Sequence, residues 1–423
     1  MNRLLTFYLD HIVKKGALTL TSATGESRTW GDGSGTPVHA RFNHKAVERK
    51  VVMNPALHLG ECYMNGEIEF LKGSIFDLLK VVFENAGNNA TAEPWMRAIE
   101  RMRLLFRRVI QNNTPRRARK NVQHHYDLSG VMYSLFLDED RQYSCAYFEK
   151  PGASLEEAQL AKKRHIAAKL LFEQPGLKTL DIGCGWGGLA LYLARFCGAD
   201  VTGVTLSDEQ FRVANRRAAE AGLGEHARFK IEDYRAITSP FDRIVSVGMF
   251  EHVGRDFYDE YFGQVARLLK EDGVAVVHSI GQFDPPSNTN AFIAKYIFPG
   301  GYIPALSEVL PAIERAGLMV TDLEILRLHY AETLLEWRKR FLAHWDEAKA
   351  IYDERFCRMW EFYLAASESA FRWQGLMVFQ VQLAKRVDTV PLTRGYMMKA
   401  EDDLRAVDSG VREPEIRICH AAE

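Results

Sequence analysis

The run LKTLDIGCGWGGLALYLA, residues 177–194, sets an apolar segment, a glycine loop and the start of an apolar helical pattern in immediate succession. A strand that passes to a helix through Gly183, Gly185 and Gly187 lets a ligand approach bare backbone at a helix N-terminus. The bland alternative is a tight turn. The common rival is a dinucleotide site, which needs an acidic residue about 20 residues further on. Here the second strand ends VTGVTLSDEQ, with Thr205, Leu206 and Ser207 where an early ribose-binding acid would stand. That weakens the case for NAD. Asp181, at the end of the first strand, is placed to counter the positive charge of a sulfonium or amino group.

From about residue 155 the pattern keeps alternating. Helical runs over 155–172, 187–198, 207–222 and 257–273 separate β-rich runs over 177–183, 199–206, 227–234, 241–253 and 274–283. Five short strands divided by helices predict an α/β fold, a parallel, doubly wound, Rossmann-like sheet. Residues 286–385 read as mainly helical, dense in aromatics and arginines, and are expected to cap the ligand edge. Residues 1–115 read as a small α+β domain, with a leading helix, short β-rich runs such as GALTLTSA and HARFN, and turn signals in WGDGSGT. Residues 116–154 are expected to be a linker and active-site entry segment, 155–390 the catalytic domain with its cap, and 391–423 a polar extension on the surface or at an oligomer contact.

Composition narrows the function. Fifty-four Lys and Arg against 55 Asp and Glu give a net charge of −1, which argues against a globally basic nucleic-acid binder. The 47% hydrophobic content supports a large core. Six scattered cysteines have neither C-x-x-C pairs nor zinc-type spacing, so they read as reduced thiols of a cytoplasmic protein and no metal site is expected. No G-x-S-x-G or H-E-x-x-H motif occurs. No segment reaches the roughly 18 apolar residues of a membrane span.

Six blocks then appear in one order: VQHHYDLSGVMYSLFLDEDRQYSCAYF, LKTLDIGCGWGGLALYLA, VTGVTLSDEQ, FDRIVSVGMFEHVG, VHSIG and KYIFPGG. Together they make residues 122 to about 390 resemble the cyclopropane fatty acid synthase family, which includes the mycolic acid cyclopropane synthases. The N-terminal unit resembles the extra domain of its bacterial phospholipid-modifying members. The resemblance implies S-adenosylmethionine as methyl donor, contacted by Tyr143, Ser144, Gly183, Gly185, Gly187, Thr205, Leu206, Gln210 and Glu232. It also implies a bicarbonate ion held by Cys145, Glu251, His278, the N–H of Ile280, and Tyr330.

Such a set suits the chemistry. An alkene attacking a sulfonium methyl leaves a carbocation, which must lose a proton from the new methyl to close a ring, in a site that excludes bulk water. Tyr and His supply donors and Glu251 an acceptor. Tyr133, Phe136, Phe250, Tyr296 and Tyr302 are candidates for stabilising positive charge. Each residue also has a plain structural reading: a buried small thiol for Cys145, a satisfied core imidazole for His278, packing for Tyr330. What favours function is that Glu251 and His278 both stand where strands end.

The implied substrate is an unsaturated acyl chain of a membrane phospholipid, giving a cyclopropane. A methylene- or methyl-branched product would use nearly the same residues, and a lipid-binding module on a vestigial methyltransferase fold is the non-catalytic alternative. Nine cations between Arg97 and Lys120, interleaved with apolar residues, read either as a solvated helix face with a charged linker or as a segment drawn to anionic headgroups. The expected partners are the membrane surface, approached peripherally from the inner face, and, as the resemblance to family members with the extra N-terminal domain implies, a second copy of the chain.

Overall fold

The computed structural model describes residues 1–87 and 130–411. The basic segment Arg97 to Lys120, His124, His125 and Cys419 lie outside the described residues. The chain divides into two compact units. One takes the described part of Met1–Arg107 with Ser287–Pro299 and Tyr330–Leu376. The other takes the described parts of Arg108–Pro286 and Met377–Glu423 with Gly300–His329. The stretch 286–385, expected as one cap, is thus shared between them.

In the first unit, β1 (Leu18–Thr21), β2 (Ser27–Trp30), β3 (Val38–Phe42) and β4 (Ile68–Lys72) form a sheet in the order β2-β1-β3-β4. Alternation along β3 buries Val38, Ala40 and Phe42. Two helices, Lys45–Met53 and Pro55–Met64, lie between β3 and β4. They break at Asn54 because Pro55 lacks the N–H that would continue the first but suits the opening turn of the second. The long Glu354–Trp373 helix packs on Pro55–Met64 and on Ile75–Ala86. Gly60 allows the first approach, since a Cβ there would come within 2.7 Å of Phe362 on the long helix. The Tyr63 hydroxyl donates to the buried Glu361 at 2.5 Å.

The second unit holds β5 (Lys178–Ile182), β6 (Asp200–Thr205), β7 (Ala227–Ile231), β8 (Phe241–Val247), β9 (Leu269–Gln282), β10 (Met319–Leu326) and β11 (Leu376–Ala384). Their order is β10-β11-β9-β8-β5-β6-β7. The five expected strands are β5 to β9, each paired in parallel with its neighbours among them. β10 and β11, antiparallel to each other, extend the sheet and were read as part of a helical cap. The helix expected over 257–273 stops at Leu268. Leu269 is already extended, and residues 270–273 bulge out of β9, so that Phe241 faces Leu269 while Arg243 faces Val274.

Both faces of this sheet are covered. Ile244, Ala275 and Val277 pack toward the Tyr258–Leu268 and Leu306–Arg315 helices. Their chain neighbours Val245 and Val276 pack toward the Leu155–Leu170, Gly188–Cys197 and Asp208–Glu220 helices. Period-two burial on both sides is the signature of a doubly wound sheet. The Gly395–Asp408 helix, in the tail expected to be a surface or oligomer feature, packs on Leu155–Leu170. No described helix is long and apolar enough to cross a membrane.

Candidate active site

A cavity opens at the ends of β5, β6 and β8, lined by Tyr143, Ser144, Asp181, Gly183, Gly185, Thr205, Leu206, Gln210 and Glu232 among the residues singled out above. The loop after β5 is held by Gly183 and Cys184, whose N–H groups both donate to Val204 O at 3.0 Å. Gly185 has φ of 55°, and a Cβ there would meet nothing within 4 Å, so its backbone faces open space. Gly187 is different. It caps the Gly188–Cys197 helix with φ of 85°, does not line the cavity, and would drive a Cβ to 2.8 Å from Phe229. Its lack of a Cβ lets the helix pack closely on β7.

Beyond β6, Thr205 Oγ1 donates to Gln210 Oε1 at 2.6 Å, and Ser207 caps the Asp208–Glu220 helix by accepting from Gln210 N. Glu232 is tied to the same strand end through its N–H on Thr205 O at 3.2 Å. Asp181 is 2% exposed, and its Oδ2 has no hydrogen-bond partner among the described residues. Burial pushes its carboxyl up to about 7, with the nearby Lys162 pulling the other way.

Lys162 is the functional residue that sequence reasoning passed over. It is fully buried, and its ammonium donates to Gln142 Oε1 at 2.6 Å and Ser144 Oγ at 2.8 Å, so it fixes two side chains of the cavity wall. Burial pushes it down to about 8. The KKRH run that contains it reads in sequence as a solvated helix face; the capping box of Ser154 and Glu157 marks the helix but not its burial. Gln159, on the same helix, donates to Ser144 O at 3.0 Å. Cys145 follows directly, 1% exposed, with its Sγ on Ala146 O at 3.3 Å.

On adjacent strands, β8 leads into Glu251 and β9 carries His278 and Ile280. Glu251 Oε1 accepts from Ile280 N at 2.6 Å, while its Oε2 is buried without a hydrogen-bond partner among the described residues. The amide expected to hold an anion is thus engaged by the carboxylate itself. Burial raises Glu251 to about 7. His278 is 2% exposed, with Gln380 Nε2 3.0 Å from its Nδ1, and burial first, then Lys162, Lys169 and His165, holds its imidazole well below the usual range. His252 lines the cavity, and removal from bulk water pushes it down to about 4. Tyr330 belongs to the first unit, where its buried ring packs against Trp337 and Phe371.

The aromatic candidates separate. Tyr133 packs on Tyr143 and Trp186, both cavity residues, at centroid distances of 5.2 and 5.1 Å, with Phe136 beside it. Phe250 and Tyr302 are core residues beneath the sheet. Tyr296, in the first unit, donates its hydroxyl to Glu61. No cluster of three potential metal ligands occurs among the described residues.

A seven-stranded Rossmann-like sheet with a glycine loop and buried acids at its strand ends suits a cationic nucleoside cofactor, and the similarity to the proteins that follow makes the chain an S-adenosylmethionine-dependent methyltransferase. A solved mycolic acid cyclopropane synthase, CmaA1 complexed with SAH and CTAB, matches at TM-score 0.60 and 34% identity over 63% of this chain and 97% of that one. The chain belongs to the family described as mycolic acid cyclopropane synthetase, which matches residues 113–381. Residues 9–93 match a family described only as a domain of unknown function. The cyclopropane-fatty-acyl-phospholipid synthase of Escherichia coli (strain K12) is 38% identical, over 83% of this chain and 89% of its own. The tuberculostearic acid methyltransferase of Mycobacterium tuberculosis (strain ATCC 25618 / H37Rv) is 36% identical, over 81% and 83%.

Proposed function

We propose that the protein transfers a one-carbon unit from S-adenosylmethionine to the cis double bond of an unsaturated acyl chain in a membrane phospholipid, giving a cyclopropane. The observation that carries this is the pair of buried carboxyls at neighbouring strand ends, Asp181 near the end of β5 and Glu251 just beyond β8, each with an oxygen that lacks a partner among the described residues. Orphaned buried acceptors are costly unless a ligand completes them. One suits a cationic donor and the other a small hydrogen-bonding anion.

When bound, S-adenosylmethionine supplies an electrophilic methyl on a sulfonium. Asp181 would balance its positive charge, the open backbone at Gly185 would admit it, and Lys162 would keep Gln142 and Ser144 in place along the wall. The alkene's π pair forms the new carbon–carbon bond, and the acyl chain is left with a positive charge that is resolved when the new methyl loses a proton. Bicarbonate, when bound, supplies a small base that does not trap the cation. Glu251 Oε2 and His278 would hold it beside Cys145. The donor-rich, water-poor setting favours deprotonation over addition of water.

The same residues fit a methylene- or methyl-branched product, in which a hydride shift within the chain and loss of a proton leave a branched alkene instead of a ring, a reading favoured by the 36% identity to a tuberculostearic acid methyltransferase. Incubation with unsaturated phospholipid vesicles and methyl-labelled S-adenosylmethionine, followed by proton NMR of the released fatty acid, tests the proposal. Upfield ring protons carrying the label are expected. A labelled branched methyl would replace the cyclopropane with the second reading, and an unlabelled lipid would remove both.

A further inference from the structure

The Leu155–Leu170 helix buries five basic side chains, and two of them lead toward His278. His165 hydrogen-bonds through Nδ1 to Glu401 at 2.6 Å and through Nε2 to Glu324 at 2.7 Å. One turn on, Lys169 Nζ donates to Glu324 and, at 2.8 Å, to Gln380 Oε1. Gln380 then reaches His278, with Nε2 3.0 Å from Nδ1. Lys169 is 1% exposed and Gln380 fully buried, so bulk water does not compete for these groups.

The donor and acceptor roles in this chain are forced from one end. An ammonium only donates, so the amide end of Gln380 that faces Lys169 is its oxygen. The end that faces His278 is therefore the NH2 group, which also only donates in a hydrogen bond of this kind. Nδ1 of His278 must accept, and a neutral imidazole that accepts at Nδ1 carries its proton on Nε2.

We infer that Gln380, oriented by Lys169, is a positioning residue that fixes His278 as the Nε2–H tautomer, so that His278 serves the reaction site as a hydrogen-bond donor and not as a base. This rests on the proposed function for the place of His278 at the reacting atoms. The charged and titratable groups around the ring agree with it: Lys162, Lys169 and His165 from the helix disfavour an imidazolium, and Glu251 takes the Ile280 N–H of the same strand. A donor at Nε2 can hold an anion or a developing negative charge, and the proton from the new methyl must go elsewhere.

The test is the imidazole nitrogen spectrum of the full chain labelled with 15N-histidine, with His278 assigned by its loss in His278→Asn. The expected result is an unprotonated, pyridine-type Nδ1 and a protonated, pyrrole-type Nε2, unchanged from about pH 6 to 8. A protonated Nδ1, or an imidazolium in that range, would overturn the inference. Gln380→Glu replaces the donor that faces Nδ1 among the described residues with an acceptor and should move the proton to Nδ1 while binding of S-adenosylmethionine stays within about twofold. An unchanged tautomer in that variant would show that Gln380 does not set it. The wild-type spectrum needs neither a variant nor turnover. If it is as expected and no lipid is methylated, the proposed function fails while the tautomer assignment stands.

Discussion

Asp181 and Glu251 make different demands on the two steps of the reaction, and their burial makes the difference measurable. Asp181 is held up to about 7, so a bound cation should draw its proton off. The sign follows directly: the carboxylate form binds, so affinity for S-adenosylmethionine should rise with pH up to about 7 and level off above it. Below that point it should weaken by up to about tenfold per pH unit. Calorimetry across this range should show proton release on binding, and Asp181→Asn should abolish it and weaken binding about 10- to 100-fold. Glu251→Gln should leave cofactor affinity within about twofold while lowering kcat by about 100-fold or more. Equal loss of both quantities would remove Glu251 from the chemical step. At this scale the sequence was informative where motif and spacing act together, as in Asp181 and the glycine loop. It was silent on Lys162, whose burial depends on partners from the 138–144 segment that no local pattern couples to the helix.

The glycine loop reads as one motif but serves two elements. Gly185 faces open space and Gly187 faces Phe229 and Ala214. Gly187→Ala should cost about 1–3 kcal/mol of stability through strain and overpacking. Gly185→Ala should cost about 1 kcal/mol, from its left-handed backbone alone, and act chiefly on cofactor affinity. Thermal unfolding and cofactor titration of the two variants separate these effects; equal losses of stability would contradict the assignment. The alternation of strand and helix was legible from β5 to β9 because apolar, β-branched runs such as those of β5, β8 and β9 meet a glycine, Gly183, Gly248 or Gly281, at or beside their ends. β11 was harder to read, since Gln380 and Gln382 interrupt its apolar pattern. Both are buried because they meet Lys169, through its ammonium and its backbone carbonyl respectively. A polar residue that serves a distant buried cation looks, in sequence, like a surface position.

Within the second unit, the tail that carries no visible chemistry completes the burial of the Leu155–Leu170 helix. Asp408 pairs with Arg164 at 3.0 Å and accepts from the Tyr192 hydroxyl at 2.8 Å, with side-chain exposures of 1% for Asp408 and 7% for Arg164. Asp408→Asn would leave the buried Arg164 with only the longer pair to Glu149 at 3.4 Å, so it should lower unfolding stability by about 1–3 kcal/mol. Denaturant melts check this, and a change below about 0.5 kcal/mol would make the tail the surface extension that its composition suggests. A charged tail and a cationic helix each read as solvated when taken singly, and their complementarity appears only in the folded unit.

The central claim is that this unit moves carbon onto an alkene and then strips a proton from the carbon it has moved. Trideuteromethyl-labelled S-adenosylmethionine, supplied with vesicles of cis-unsaturated phospholipid, tests both halves through the deuterium content of the product by mass spectrometry and NMR. The account predicts a saturated ring whose methylene keeps two deuterons, with the third lost to water. A branched chain that keeps all three, or a lipid that gains none, would contradict it.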